Sequence, residues 1–192
     1  MASRERPYHH GNLSRALLDA AAELVAEVGP SQVSLREIAR RTGVSNAAPV
    51  HHFGDKAGLF TALAAEGFAL LAAELAEARA RSDDFGEVGV AYVRFALAHR
   101  AHFEVMFRPD LYHRDDPSIV EGNRLAAQHL YGPAAARIGG TKGREGREAG
   151  VAAWALMHGL ATLLINGNLG ADATADPEAL ARRIGHLAFS PR

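Results

Sequence analysis

The chain has 192 residues, and its 21 basic and 22 acidic residues give a formal charge of −1. This balance excludes a uniformly basic surface of the kind that covers nucleic acid, although it allows a local basic patch. Cysteine is absent, so disulfide scaffolds, cysteine-ligated zinc and thiol catalysis are excluded. No apolar run approaches about 18 residues and no secretory signal is recognisable, so a cytoplasmic protein without a membrane span is expected.

Helical periodicity extends over nearly the whole chain, and no convincing strand-like alternation occurs, so an all-α fold is predicted. In the first segment, apolar residues recur every three or four positions from Leu17 to Val28, and Gly29-Pro30 ends this helix. Ser34 and Glu37 have the spacing of a capping box, in which the serine hydroxyl and the carboxylate each accept an amide proton at the start of a second helix.

Residues 34–52 have the pattern of a helix-turn-helix, which is two short helices joined by a turn that contains Gly43. Ser45 is expected to cap the second of these helices, at about 45–52, and this recognition helix is predicted to enter the DNA major groove. Such a helix needs one apolar face for docking and one polar face for the bases. The docking face is assigned to Val44, Ala47 and Ala48, and the base-reading face to Ser45, Asn46 and His51.

A small excess of positive charge surrounds this motif. Residues 36–56 carry four basic and two acidic side chains, a net charge of +2, and cations at the edge of the motif suit DNA phosphates. The predicted DNA contacts are Ser34, Arg36, Ser45, Asn46, Ala47, His51 and Lys56.

Residues 12–63 resemble the DNA-binding domain of the TetR family of bacterial transcriptional regulators. The matching segments are NLSRALLDAAAELVAEVG and SLREIARRTGVSNAAPVHHFGDKAGLF. The resemblance implies that Ser34 and Lys56 contact the DNA backbone and that Ser45, Asn46 and His51 lie at or near the DNA. The family pattern Y-x-H-F-x-x-K has Val50 here in place of the tyrosine. In the family this tyrosine usually contacts a DNA phosphate, so the resemblance implies that one phosphate contact is lost or moved.

The segment WALMHGL at 154–160 is similar to a Trp–His–Gly signature in one type of TetR-family C-terminal domain. This resemblance implies an effector-binding domain that dimerises through its last two helices. We therefore predict an N-terminal arm and DNA-binding domain at 1–55, and a ligand-binding and dimerisation domain at 56–192. Helices are expected at 55–81, 85–100, 101–107, 117–138, 146–168 and 177–189, with a loop at 108–116 and a Gly-rich linker at 138–146.

An apolar pocket in the second domain is the predicted effector site. Trp154 and His158 share a helix face, because they are four residues apart, and this face suits the core or the dimer interface as well as a ligand. The predicted ligand-binding residues are Phe95, His99, Phe103, Met106, Phe107, Trp154 and His158.

Enzyme signatures such as a phosphate-binding loop, a nucleophile elbow or an H-E-x-x-H motif are missing from the sequence, and no cofactor or metal is expected. The predicted function is a homodimeric repressor that an apolar or aromatic small molecule releases from a palindromic DNA operator. One alternative is a helical small-molecule-binding protein that has lost DNA binding. Another is a metalloenzyme built on His99, His102, His129 or His158, since a histidine pair three residues apart can hold a metal.

Overall fold

The computed structural model describes residues 10–137 and 144–189, with side chains over 13–130 and 145–188. Every regular element in these ranges is a helix, as the sequence predicts. The first four helices are α1 (His10–Val28), α2 (Leu35–Thr42), α3 (Ala47–Phe53) and α4 (Lys56–Arg81), with a 3₁₀ turn at Pro30–Gln32. The others are α5 (Phe85–Ala98), α6 (Arg100–Met106), α7 (Pro117–Arg137), α8 (Arg144–Ile165), α9 (Ala171–Thr174) and α10 (Pro177–Phe189).

The helices predicted from residue 45 onward lie within three residues of the observed ones at each end, and two further differences are found. The single-turn helix α9 is not predicted, because four residues are too few to show a periodicity. The predicted linker at 138–146 lies outside the described residues over 138–143, and its last residues already belong to α8.

Aspartate side chains start several of these helices. The carboxylate of Asp55 accepts the Gly58 amide at 2.7 Å and begins α4, and Asp176 accepts the Ala179 amide at 2.9 Å and begins α10. Each carboxylate binds an amide that has no partner within its helix, and it also opposes the positive end of the helix dipole.

The capping box at the start of α2 is only half formed. The Ser34 hydroxyl accepts the Glu37 amide at 3.2 Å, as predicted. The Glu37 carboxylate does not reach back to the Ser34 amide, because it binds the guanidinium groups of Arg40 and Arg41 at 2.7–3.1 Å. Charge-assisted bonds to two arginines outcompete a bond to a neutral amide.

The predicted cap of α3 is wrong. Asn46, not Ser45, is the residue that precedes the helix, and its side chain makes no capping bond. The Ser45 carbonyl instead accepts the Ala48 amide at 3.0 Å in a turn that leads into the helix. The first turn needs less capping than usual, because Pro49 has no amide proton to satisfy.

One continuous apolar core extends from α1 to α10. Leu17 and Val25 of α1 pack with Phe60 and Leu63 of α4, and the same core continues to Tyr92 of α5. The predicted domain boundary at residue 55 falls in the turn between α3 and α4. Because the core is continuous across this turn, the division into two domains stays a prediction.

Two helices in the described part of the chain are long and apolar enough to cross a membrane by length and composition alone. In Lys56–Arg81, 56% of the apolar window is buried inside the protein, and in Glu145–Ile165 the fraction is 28%. A core helix of a water-soluble protein passes the same test, so the burial of α4 explains its apolar composition. The absence of a membrane span stays a prediction.

Candidate nucleic-acid interface and ligand cavities

The side chains of α3 divide into an exposed face and a buried face. Asn46, Ala47, Val50 and His51 are exposed, whereas Pro49 is buried. Ala47 therefore does not belong to the docking face to which the sequence pattern assigned it. Together with the exposed Ser45, these four residues form what we call the reading face, which is defined as residues 45, 46, 47, 50 and 51.

Tight turns on both sides fix the direction of α3. Gly43 has a φ of 69° and ends α2, as predicted, and Gly54 has a φ of 78° and ends α3, where its amide binds the Val50 carbonyl at 2.8 Å. Gly58 lies so close to Phe53 that a Cβ at this position would overlap the Phe53 carbonyl oxygen. The end of α3 and the first turn of α4 are thus in direct backbone contact.

His52 is half-buried, in contrast to the exposed His51 beside it. Its ring lies 5.5 Å from His51 and 6.3 Å from Phe53, measured between ring centroids. These ring contacts and the partial burial suit a packing role for His52 within the module.

The positive charge around α3 is smaller than the local count indicates. Arg41 binds Glu27 of α1 at 2.6 Å, and both Arg40 and Arg41 bind Glu37. The hydrogen bond from Arg40 has the largest effect on Glu37, followed by that from Arg41. Together they lower the pKa of Glu37 to about 2. The charge count over residues 36–56 does not include Glu27, because this residue belongs to α1. Arg36 is exposed and forms no ion pair within the described part of the chain.

Lys56 and Ser34 both have intramolecular partners close to the predicted DNA surface. The ammonium group of Lys56 donates to the Ser31 carbonyl at 3.2 Å and lies 5.4 Å from the centre of the Phe60 ring. Partial burial lowers the pKa of Lys56. The Ser34 hydroxyl accepts the Glu37 amide through its oxygen, and this leaves its own proton available for another acceptor.

The predicted ligand-binding residues do not all meet at one site. The rings of Phe103, Phe107, Trp154 and His158 form a cluster, with centroid distances of 4.7 Å from Phe107 to His158 and 5.1 Å from Phe103 to His158. Phe95 is buried apart from them, with its ring centroid 5.2 Å from that of His99.

Tyr92, which is not among the predicted ligand-binding residues, joins this cluster through its hydroxyl group. The hydroxyl accepts a hydrogen bond from Trp154 Nε1 at 3.1 Å and lies 2.9 Å from His158 Nδ1. Burial lowers the pKa of His158, which favours the neutral ring. A tyrosine within the apolar run of α5 was the available signal, because a buried phenol usually requires a polar partner.

Two cavities lie beside this cluster. The larger has a volume of about 920 Å³ and opens between the start of α5, α8 and α10. The smaller has a volume of about 240 Å³ and lies between α4, α7 and the end of α6. Trp154 and Leu130 line both cavities.

Only some of the predicted ligand-binding residues reach these cavities. Trp154 lines both, and Met106 and Phe107 line the smaller one. The described lining of neither cavity includes Phe95, His99, Phe103 and His158. Most residues that line the larger cavity are not among the predicted ligand-binding residues, for example Phe85, Val88, Tyr92, Met157, Arg182 and Arg183.

The histidines of the metalloenzyme alternative have other neighbours. His158 faces Tyr92, and Nε2 of His102 lies 3.6 Å from a carboxylate oxygen of Glu66. The residues with described side chains contain no group of three or more side chains that could hold a metal ion.

Comparison with known proteins agrees with this architecture. Residues 17–63 match the family of bacterial regulatory proteins called tetR, and residues 85–186 match the tetracyclin repressor-like C-terminal domain. A solved structure of a protein of unknown function from Rhodococcus sp. RHA1 is 35% identical, with a TM-score of 0.71, over 93% of this chain and 98% of that chain. The TetR-family regulator PfmR from Thermus thermophilus has the same fold at 20% identity, with a TM-score of 0.70, over 92% of this chain and 99% of that chain.

Curated relatives match only the N-terminal part of the chain. The transcriptional repressor AcnR of Corynebacterium glutamicum is 39% identical over 66 residues, which are 34% of this chain and 35% of AcnR. The transcriptional regulator BetI of Escherichia coli is 46% identical over 48 residues, which are 25% of each chain. The chain therefore matches about a third or less of the length of these curated relatives. Since the C-terminal domain model alone spans more than half of the chain, the protein belongs to the TetR family of bacterial regulators.

Proposed function

We propose that the protein is a sequence-specific DNA-binding transcriptional regulator that acts as a homodimeric repressor in the cytoplasm. The observation that carries this proposal is the reading face of α3, which is exposed while the opposite side of the helix is fixed by the buried Pro49. An α-helix with one anchored face and one free polar face fits the DNA major groove.

The proposed contacts divide into base-reading and phosphate-binding groups. Asn46, just before α3, and His51 within it are exposed and carry hydrogen-bonding groups that can read base edges. Arg36 and the hydroxyl proton of Ser34 are available for phosphates at the start of α2. Lys56 would exchange its bond to the Ser31 carbonyl for a phosphate. Ser45 and Ala47 complete the contact surface.

We infer a homodimer because one short recognition helix reads only a few base pairs, whereas two helices related by symmetry read a palindrome. Exposed apolar side chains on α8 and α10 support this assembly. Val151 and Leu163 of α8 are exposed, and Leu187 of α10 is 84% exposed. A second copy of the chain would remove these side chains from water.

The proposed effector is an apolar or aromatic small molecule bound in the larger cavity. Its volume of about 920 Å³ falls in the range of roughly 300–1,000 Å³ that is typical of small-molecule sites. Phe85, Tyr92, Trp154 and Met157 supply apolar lining. For release from DNA, the effector must bind more tightly to the dimer geometry that does not match the operator.

The test is a titration of the full-length protein against labelled DNA that flanks its own gene, over a salt series and against a scrambled competitor. We expect a preference of about a thousandfold for the specific DNA, and affinity that falls steeply with salt. Asn46→Ala should remove about 1–3 kcal/mol of binding free energy, while Gln128→Ala, an exposed amide on α7, should change nothing. An absence of DNA binding even at low salt would favour the alternative of a helical small-molecule-binding protein.

A further inference from the structure

Two buried polar atoms face each other without a hydrogen bond where α4 meets α6. Oε2 of Glu66 and Nε2 of His102 have no hydrogen-bond partner among the described residues, and they lie 3.6 Å apart. This separation exceeds the length of a hydrogen bond. Unpaired polar atoms in a protein interior are rare and cost free energy, so such a pair calls for an explanation.

The second oxygen of Glu66 connects this pair to the DNA-binding module. Oε1 of Glu66 accepts a hydrogen bond from the guanidinium group of Arg15, which belongs to α1 and also binds Asp19. Glu66 therefore lies between α1, which packs against α2 and α3, and α6, which belongs to the C-terminal part of the chain.

The helix that carries His102 also lines a cavity. Met106 and Phe107, at the end of α6, form part of the wall of the smaller cavity. On the other side, α6 lies directly on Gly67 of α4, where an added Cβ would come within 2.5 Å of the Met106 sulfur and 3.0 Å of the His102 Cβ. A displacement of α6 at the cavity therefore changes the distance between His102 and Glu66.

From this geometry we infer that Arg15, Glu66 and His102 form a polar latch that couples the position of α6 to the orientation of α1. A small displacement of α6 that shortens the distance between Nε2 of His102 and Oε2 of Glu66 from 3.6 Å to about 2.8 Å would close the hydrogen bond. In the closed latch, His102 would bind the same Glu66 carboxylate that accepts the hydrogen bond from Arg15. Glu66 is thus a positioning residue for α1. Any effect of the latch on operator affinity rests on the proposed function.

Protonation of His102 provides a way to close the latch without an effector. The charged and titratable groups around His102 are Glu66 of α4, Arg15 of α1 and His99 at the start of α6. At neutral pH burial favours the neutral ring, because it lowers the pKa of His102. In acid the imidazolium gains a charge-assisted hydrogen bond to the Glu66 carboxylate only if the latch closes.

The absence of cysteine allows a direct measurement of the latch in the full chain. Spin labels at Glu23→Cys on α1 and Val120→Cys on α7, both exposed positions, report the distance between α1 and the C-terminal part. Dilution with unlabelled protein suppresses distances between copies. We expect the mean distance to shift between pH 7.5 and pH 5 in the otherwise unchanged chain, and to stay fixed in His102→Leu and Glu66→Gln.

Glu104→Gln is the matched control, because it removes a carboxylate of α6 that binds Arg100 and lies outside the latch. This variant should keep the full pH-dependent shift. If His102→Leu fails to fold, as circular dichroism would show, His102→Gln replaces it. No shift in the unchanged chain, or an equal shift in the His102 variant, would overturn the inference.

Operator binding separates the latch from the proposed function. If the chain binds its operator, the dissociation constant should change about fivefold or more between the two pH values, and this change should disappear in the His102 variant. A pH-dependent change that persists in the His102 variant would remove the latch from the control of DNA binding. If the chain binds no DNA, the proposed function fails, and the distance measurement alone still decides whether the latch exists.

Discussion

The indole nitrogen of Trp154 donates a hydrogen bond of 3.1 Å to the hydroxyl of Tyr92, a residue 62 positions earlier in the chain. The same hydroxyl lies 2.9 Å from Nδ1 of His158, so one oxygen joins both polar members of the Trp–His–Gly segment to α5. This bonding gives Trp154 and His158 a structural role beside the cavities, whether or not a ligand contacts them.

Removal of this hydroxyl should destabilise the protein measurably. Tyr92→Phe leaves both Trp154 and His158 without this partner, and we expect a loss of about 1–3 kcal/mol in the free energy of unfolding, measured by chemical denaturation. The control is Tyr112→Phe, which removes a single hydrogen bond of 2.8 Å to the Met106 carbonyl and should cost less. Equal losses in the two variants would contradict the role assigned to Tyr92.

The exposed Val50 offers a test of DNA affinity in the direction of a gain. Val50 is 49% exposed on the reading face, at the position where the family pattern has tyrosine. Val50→Tyr should tighten operator binding about tenfold, since a hydrogen bond to a charged phosphate contributes about 1.5–3 kcal/mol. Val50→Phe adds the ring without the hydroxyl, so a similar gain in this variant would argue against a phosphate contact.

The ion pair between α1 and α2 predicts a second gain in DNA affinity. Glu27→Gln frees Arg41 from its strongest hydrogen bond and removes a negative charge beside the proposed DNA surface. We expect tighter DNA binding and a steeper dependence on salt, with little change in the free energy of unfolding, because both partners of the ion pair are exposed to water. Glu23→Gln removes the same charge from an exposed site on the same helix, and it should have a smaller effect on both quantities.

The contact between α3 and α4 can be tested with two glycines of similar position. Gly58 and Gly86 each donate an amide proton to the aspartate that caps their helix, at 2.7 and 3.0 Å. Gly58→Ala forces a methyl group into the Phe53 carbonyl and should destabilise the protein and abolish DNA binding. Gly86→Ala meets only an ordinary contact, 3.4 Å from the Asp84 carboxylate, and both properties should survive.

Acidification should weaken the fold through His158. Burial lowers the pKa of this ring below its ordinary value of 6.5, so the unfolded chain binds a proton first as the pH falls. The contribution of the neutral His158 ring to the free energy of unfolding is therefore fully present above about pH 6.5 and is lost as the pH falls below this value. Thermal unfolding at pH 7.5 and 5.5 should show a smaller loss of stability in His158→Gln than in the unchanged chain, and His51→Gln, an exposed substitution, should retain the full loss.

The helices could be predicted from the sequence because their signals are local. Apolar spacing, the caps at Ser34, Asp55 and Asp176, and the glycine turn at Gly43 act within a few residues of one another. The start of α3 was misplaced by one residue because serine and asparagine are both common capping residues and stand side by side at 45 and 46.

The ligand site and the charge of the protein surface proposed to bind DNA depend on contacts between residues that are far apart in the sequence. No local sequence pattern shows such contacts. Glu27 approaches Arg41 across 14 residues, and Tyr92 approaches His158 across 66. Phe95 was assigned to the ligand site as one of a set of aromatic residues expected to surround an apolar pocket, but helix periodicity specifies only the face on which a residue lies. It does not specify which helix or cavity that face meets.

The backbone contact at Gly58 has a mechanical consequence for the proposed dimer. Helix α4 has 26 residues and is about 39 Å long at roughly 1.5 Å per residue, and it joins the reading face to the core of the C-terminal part. A tilt of only about 5° about its far end would move the start of this helix by about 3.4 Å. In a symmetric pair the two displacements add to about 7 Å, against a spacing of roughly 34 Å between successive major grooves. Because α3 and α4 meet in direct backbone contact, a small rearrangement around a bound ligand would be amplified into a mismatch between the two reading faces and the DNA.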